Sequence, residues 1–366
     1  MRVALLAMLV LAPAAAGQLL LRGPETPPGD AISSVSERGV FVVAPDGALH
    51  LVSWDRVLRI EGDQAEKAAE FMPVADAAWR ARRRLERADA VGAEPLFEEL
   101  FAQTRTWRGP TAAVIREGLM RCRLRRGAQI GAIEPWLALL EARASVEAGI
   151  QPFASEWARA AGLGEVLDPA TGLAPALPPM WLDWASVRQF GAAGEPGQAL
   201  ENEQASALRA LYVAAARFEA GLSAELPPAT GDPAVRLVRD IVAARIGPPA
   251  ERASARIRLR QRLDEGAAPW LSAWLRIALG RSLIREPDEQ QRLLGVAELL
   301  SGPALFAETH PYLAGLGLAE ASRELAQLGR IEASLALRRE LEDRFPSHPA
   351  LTIAWTPAPA AGQDQR

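Results

Sequence analysis

PAVRLVRDIVAARIGPPAERASARIRLRQRLDEGAAPWLSAWLRIALGRSLIREPDEQQRLLGVAELLSG, residues 233–302, decides the fold. Pro233, Pro249, Pro269 and Pro287 each open an apolar-periodic stretch, and Gly247, Gly266 and Gly302 close or follow one. Proline fits the first turn of a helix, where its missing N–H would be unpaired anyway, and glycine fits just past the end. Each interval, roughly 16–20 residues, therefore reads as one helix plus a short loop. Helices joined by such short loops pack as antiparallel hairpins, each burying its apolar side against its neighbours. The expected fold is mainly α, an antiparallel helix-hairpin α-solenoid. Such folds usually bind partners and do not transform them.

The last hairpin of the chain is the clearest. YLAGLGLAEASRELAQLGRIEASLALRRELEDRFPSHP, residues 312–349, has an apolar stripe at Leu318, Ala321, Leu325 and Leu328. Gly329 takes the turn, Ser334 supplies a small contact residue and Pro346 stops the second helix. This stretch resembles a tetratricopeptide repeat, whose half-length of about 17 residues matches the helix spacing upstream. The pattern is degenerate: Ser322 has the small neighbour Ala321, and Arg338 stands where the family has an apolar residue. Nearer the N-terminus, Trp79, Arg80, Ala81 and Leu85 lead into Ala93, Leu96, Phe97, Leu100 and Phe101 at helical spacing. A second pair covers Thr111 to Arg126 and Ala132 to Ala148. Laid on the first at an offset of 39, it aligns Ala93 with Ala132, Phe97 with Trp136, Leu100 with Leu139, Arg82 with Arg121 and Arg84 with Arg123.

Ahead of the helices lies a segment of another kind. Val40–Val43, Ala48–Val52 and Val57–Ile60 are short β-branched runs, with Pro45-Asp46-Gly47 as the hairpin turn between the first two. Ala31 to Ser36 and Leu19 to Leu21 add two more. GVFVVAPDGALHLVSWDRVLRI resembles the last three strands of SH3-like or Sm-like small barrels. A second break falls in the middle of the chain. DPATGLAPALPPMWLDW carries four prolines and cannot be one helix, and GAAGEPGQ has the composition of a loop. The expected organisation is a signal peptide at 1–16, a β-module at 18–62, helical repeats at 63–165, a Pro/Gly-rich linker or strap at 166–202, helical repeats at 203–349 and a disordered tail at 350–366.

The leader rests on Met1-Arg2, the apolar run Val3 to Leu11 and the small residues Ala14-Ala15-Ala16, which together make a secretory signal and cleavage site. The run is shorter than the about 20 residues a bilayer span needs. The mature protein is expected to be exported, periplasmic or extracellular, with no transmembrane segment after cleavage. Of 41 basic residues all but Lys67 are arginine, a compositional habit that discounts arginine counts as functional evidence. A net charge of -4 argues against nucleic acid as a partner. Cys122 is the only cysteine, so no intramolecular disulfide forms.

The chemistry-bearing patterns are few. His50, His310 and His348 are the only histidines; the last two each precede a proline and read as residues at repeat ends. No zinc-type His or Cys spacing, phosphate loop or nucleophile elbow occurs, so no catalytic residue, metal or cofactor is assigned. The candidate ligand-binding residues are Arg82, Arg84, Arg121 and Arg123, with the aromatic pair Trp181 and Trp184. The tetratricopeptide resemblance implies that first helices line a groove, which would place Arg82 and Arg121 in neighbouring groove positions. Guanidinium forks there would grip a carboxylate. The competing reading is a solvated face with partners such as Glu86 four residues from Arg82. Trp181 and Trp184 share a helical spacing after the Pro-rich break and are the tryptophans expected to be exposed.

Two functions follow as expectations. One is an exported, non-enzymatic interaction scaffold that holds acidic or carboxylate-bearing segments of envelope or secreted proteins. The alternative is an exported enzyme or accessory subunit of the hydrolase class, acting at the β-module or under the central Pro-rich segment.

Overall fold

The computed structural model describes residues 17–24, 26–29, 31–144, 151–152, 165–193 and 200–353. The expected signal peptide at 1–16 and residues 354–366 of the expected tail lie outside the described residues. The chain divides into two compact units, Met1–Cys122 with Glu141–Gly164 and Arg123–Leu140 with Glu165–Arg366. The described residues form 13 helices, packed in consecutive pairs, after a small antiparallel β region.

In the first unit, β1 (Leu19–Leu21) pairs antiparallel with β5 (Val57–Ile60). β2 (Ala31–Ser36), β3 (Gly39–Val43) and β4 (Leu49–Val52) form an antiparallel meander. The turn at Pro45-Asp46-Gly47 is the expected hairpin: Gly47 sits at φ +84 and Asp46 Oδ1 accepts the Ala48 amide at 2.9 Å. One strand was not expected: β6 (Gln151–Pro152), within the stretch read as helical repeats, adds to β4 in parallel. A 3-10 turn, Trp54–Arg56, leads into β5.

The β region shares its core with the first helices, α1 (Ala65–Ala69) and α2 (Met72–Glu86). Trp54, Val40, Val42 and Val57 form one cluster with Ala68 and Ala75, and Trp54 stacks on Phe71 with centroids 5.0 Å apart. The indole of Trp54 donates to Ser36 O at 2.8 Å. α3 (Ala90–Gln103) packs on α2, and its Phe97 ring seats on Gly118 of α4 (Pro110–Arg125), where a Cβ would stand 2.2 Å from the ring. The 39-residue offset agrees with the element bounds: α2 and α3 start at 72 and 90, α4 and α5 (Gln129–Ala144) at 110 and 129. Every apolar pair in that overlay is buried on both sides.

In the second unit, α6 (Ala185–Ala192) and α7 (Glu203–Glu219) precede three hairpins. These are α8 (Pro233–Ile246) with α9 (Pro249–Asp264), α10 (Pro269–Leu283) with α11 (Glu289–Leu305), and α12 (Pro311–Gln327) with α13 (Ile331–Arg344). Proline opens α8, α9, α10 and α12, while α11 starts at Glu289 with Asp288 accepting the Gln291 amide as its cap. Gly302 does not close a helix. It lies inside α11, where a Cβ would stand 2.9 Å from Ile277. First helices meet each other: α10 touches both α8 and α12. Ser322 and Ser334 exchange hydroxyl-to-carbonyl bonds at 2.9 and 2.7 Å across the last hairpin, so the small residue at Ser334 has a partner as well as a fit. The final turn, Pro349–Thr352, is a 3-10 turn with Ala350 buried, so order runs past the residue where the tail was expected to begin.

Gly317 sets the spacing between α11 and α12, because a Cβ there would come within 2.5 Å of Leu299 O. Helix propensity alone would make Gly317→Ala stabilising by about 1 kcal/mol. The contact reverses the sign, and thermal unfolding of the variant is expected to show a loss of about 1–3 kcal/mol.

Candidate functional site

The segment with four prolines is a strap laid across the helices of the second unit. Proline removes backbone donors, so a strap of this composition arrives with more acceptors than donors, and a buried unmet carbonyl is costly. The helices supply the missing donors from side chains. Gln204 Nε2 on α7 donates to Thr171 O at 2.9 Å, and Trp136 Nε1 on α5 to Gly172 O at 3.1 Å. Trp274 Nε1 on α10 donates to Pro175 O at 3.0 Å, and the Tyr212 hydroxyl on α7 to Leu177 O. The Tyr312 hydroxyl on α12 donates to Met180 O at 2.8 Å, and Arg281 Nη2 on α10 to Trp181 O at 2.6 Å. The chain has two tyrosines, and both hydroxyls are used this way.

The strap's side chains fill the same face. Leu173, Leu177, Met180, Trp181 and Leu182 are buried, and the Trp181 ring meets Tyr212 edge-on at 5.6 Å. Trp184 lies against Tyr312 at 6.4 Å and 86°. The expectation that Trp181 and Trp184 are exposed is therefore corrected: they are 1% and 8% exposed, because the strap runs as a series of short turns whose apolar and aromatic side chains pack against the helices.

Beneath the strap sits a closed set of charges. Arg281 Nε lies 2.9 and 3.0 Å from the two Glu320 oxygens, and its Nη2 lies 2.9 Å from Glu219 Oε1. Arg245 Nε donates to Glu219 Oε1 at 2.9 Å, and its Nη1 to Arg281 O at 3.0 Å. Burial pushes the Glu219 carboxyl up, but Arg245 and Arg281 together outweigh it and hold the group below its ordinary 4.5. Burial opposes the charge on Arg245 too, and Glu219 and Glu320 raise it above the usual arginine value. Two carboxylates and two guanidiniums thus satisfy one another, with a strap carbonyl as an extra acceptor.

The arginines singled out in the sequence hold the protein's own structure. Arg82, 9% exposed, has Nη1 2.8 Å from Asp55 Oδ2 and Nε 3.4 Å from Glu86, tying α2 to the turn before β5. Arg121, also 9% exposed, meets Glu117 at 2.8 Å, and Arg143 reaches the same carboxylate at 3.2 Å. Arg84 is exposed and pairs with Asp89, the cap of α3, at 2.8 Å; the Gly92 amide, with Arg84, holds the Asp89 carboxyl low against a smaller opposing effect of burial. Arg123 Nη1 donates to Gly131 O at 2.6 Å. At the 39-residue offset Arg84 with Gly92 and Arg123 with Gly131 are equivalent, each arginine leaning over the first turn of the next helix. Arg82, Arg84 and Arg121 belong to the first unit, and Arg123, Trp181 and Trp184 to the second.

Arg116 was not singled out, although it is 2% exposed and donates to Thr104 O, Arg105 O and Trp107 O at 3.3, 3.2 and 2.9 Å. It caps the end of α3; burial and Arg108 lower its pKa to about 10, with Glu141 opposing. An open cleft of about 730 Å³ on α9 and α10 has Ile257, Leu279 and Leu283 in its wall. Its arginines are taken, Arg256 by Glu286 at 2.7 Å and Arg260 by Glu298 at 2.9 Å. Among the described residues no cluster of three His, Cys, Asp or Glu side chains is placed to hold a metal ion, and no helix is long and apolar enough to cross a membrane. Comparison of the chain with protein-family models, curated proteins and solved structures finds no match.

Removing Arg281 leaves Glu219 and Glu320 sharing Arg245, so Arg281→Gln is expected to cost about 3–5 kcal/mol in chemical denaturation. Because the folded pKa of Glu219 lies below its unfolded value, its contribution is present above about pH 4.5 and is lost as pH falls through the folded value. The stability difference between about pH 7 and pH 3 is therefore expected to be smaller in Arg281→Gln than in the parent.

Proposed function

We propose that this chain is an exported, non-enzymatic protein-interaction scaffold, a degenerate tetratricopeptide-like array of helix hairpins behind an SH3-like β-module. Two observations support the architecture. The helix bounds repeat at the 39-residue offset, and five short strands precede the helices, with β1 paired to β5 beside the β2-β3-β4 meander. One observation carries the function. The strap, a run of short turns, is held by its main-chain carbonyls and a few apolar anchors, the way a peptide-binding face holds its ligand.

The ligand class follows from the contacts. Donors aimed at backbone carbonyls read the main chain more than the sequence, and sockets for Leu177, Trp181 and Trp184 add selectivity. The partner is a proline-rich segment carrying aromatic residues, on an envelope or secreted protein. This face favours that class over an acidic segment, since Arg82 and Arg121 already hold carboxylates. In the resting protein the strap fills the face, so an incoming segment binds only the fraction of molecules whose strap has left.

A fluorescent peptide of residues 172–184, titrated into the full chain, tests this reading. Weak saturable binding is expected for the parent, and binding tighter on the order of tenfold for Trp181→Ala, whose strap is loosened but whose helices keep every donor. Equal, non-saturating signals from both proteins, with the variant folded by circular dichroism, would rule out the face as a peptide site.

A further inference from the structure

The last described turn of the chain hangs on one imidazole. His348 is 6% exposed and both ring nitrogens have partners. Nδ1 accepts the Ala350 amide at 3.1 Å, and Nε2 lies 2.9 Å from Tyr312 O. A carbonyl can only accept, so Nε2 carries the proton and the ring is neutral. The ring stacks on Tyr312 with centroids 5.4 Å apart and 26° between planes. Gly315 lies under it: a Cβ there would stand 2.5 Å from Cδ2, so the ring sits directly against the α12 backbone. Tyr312 in turn gives its hydroxyl to Met180 O and takes the edge of Trp184. His348, Tyr312 and the strap are therefore three links in one row.

We propose that His348 is a proton-operated clasp. A second proton on the imidazole sets Nδ1–H against the Ala350 N–H, expels the ring from beside Tyr312, and frees residues 349–353 together with the Tyr312 anchor of the strap.

Among the described residues no counter-charge contacts the ring. From α12 the group that faces it is Tyr312, whose hydroxyl burial pushes well above its ordinary range and keeps neutral. The charges that act on Tyr312 are Arg281 on α10, Glu320 on α12 and Glu219 on α7, and these are paired among themselves. On α13, Arg338, Arg339 and Glu342 line the cleft beside Leu351 and Ile353, with Arg338 donating to Glu342 at 2.8 Å. Burial pushes the His348 imidazole below its ordinary 6.5, and the bond to Tyr312 O opposes only part of that. With the folded pKa below the unfolded one, the clasp stabilises fully above about pH 6.5 and is lost as pH falls through the folded value. His310, which burial also lowers, opens α12 and rests edge-on to Phe306, so it is the control.

Hydrogen exchange of the full chain, corrected for intrinsic rates, reads the clasp without any peptide. Its failure is therefore separable from failure of the peptide-holding reading, on which only the consequence for partner exchange rests. Between about pH 7 and pH 5, protection of residues 349–353 and 180–184 is expected to fall on the order of tenfold, reversibly and at constant helix content. His348→Gln is expected to abolish that pH dependence, and His310→Gln to keep it. Unchanged protection in the parent, or the same pH dependence in His348→Gln, would overturn the proposal. Should His348→Gln lose its near-ultraviolet dichroism, the His348 proton resonance in the parent decides. A midpoint below 6.5 that coincides with the loss of protection supports the clasp, and a midpoint at or above 6.5, or one apart from that loss, overturns it.

Discussion

A proline-rich strap can satisfy only part of its own backbone, and the second unit is organised around the remaining deficit. Six carbonyls between Thr171 and Trp181 are met by side chains of α5, α7, α10 and α12. Each such bond contributes about 0.5–1.5 kcal/mol when made, and leaving a buried partner unmet costs more. The strap and the helices therefore specify each other. Without the strap, two tyrosine hydroxyls, two indoles and Arg281 would face an apolar hollow. Without those donors, burying the strap's apolar side chains would leave its carbonyls unmet.

The same logic explains what an arginine-rich, lysine-poor chain does with its cations. A guanidinium has several donors in a fixed plane, so it can join a carboxylate on one helix to a carbonyl on another. Arg281 bridges Glu219, Glu320 and Trp181 O, and Arg116 gathers three carbonyls past the end of α3. Buried ion pairs of this kind add little net stability over an apolar core, but they penalise any other register of the helices. In this chain they fix which residues of α7, α8, α10 and α12 come level.

Local signals were legible and remote ones were not. Proline at the start of α8, α9 and α10, and the Pro45-Asp46-Gly47 turn, act within a few residues and appear where the sequence places them, whereas Pro287 falls just ahead of α11 and Asp288 caps it. The 39-residue offset was readable because buried positions recur with it. Gly302 was misread because a glycine that lets two helices approach looks like one that ends a helix. The strap was legible as a break but not as a core element, since Trp181 O meets Arg281 and Met180 O meets Tyr312 across a hundred residues or more. Arg82 resembled a ligand-binding residue because its partner Asp55 lies in another element. The available signal was chemical: the chain's two tyrosines and a four-proline segment in need of donors.

The face holds a segment of its own chain, and the account stands or falls on whether that strap organises the helices. The most direct measurement replaces residues 172–184 by a glycine–serine linker of equal length and follows thermal unfolding by near- and far-ultraviolet dichroism. The account predicts loss of the near-ultraviolet signal and of a sharp transition, both restored by the 172–184 peptide added in trans. A cooperative transition at the parent midpoint, with an unchanged near-ultraviolet spectrum, would contradict it.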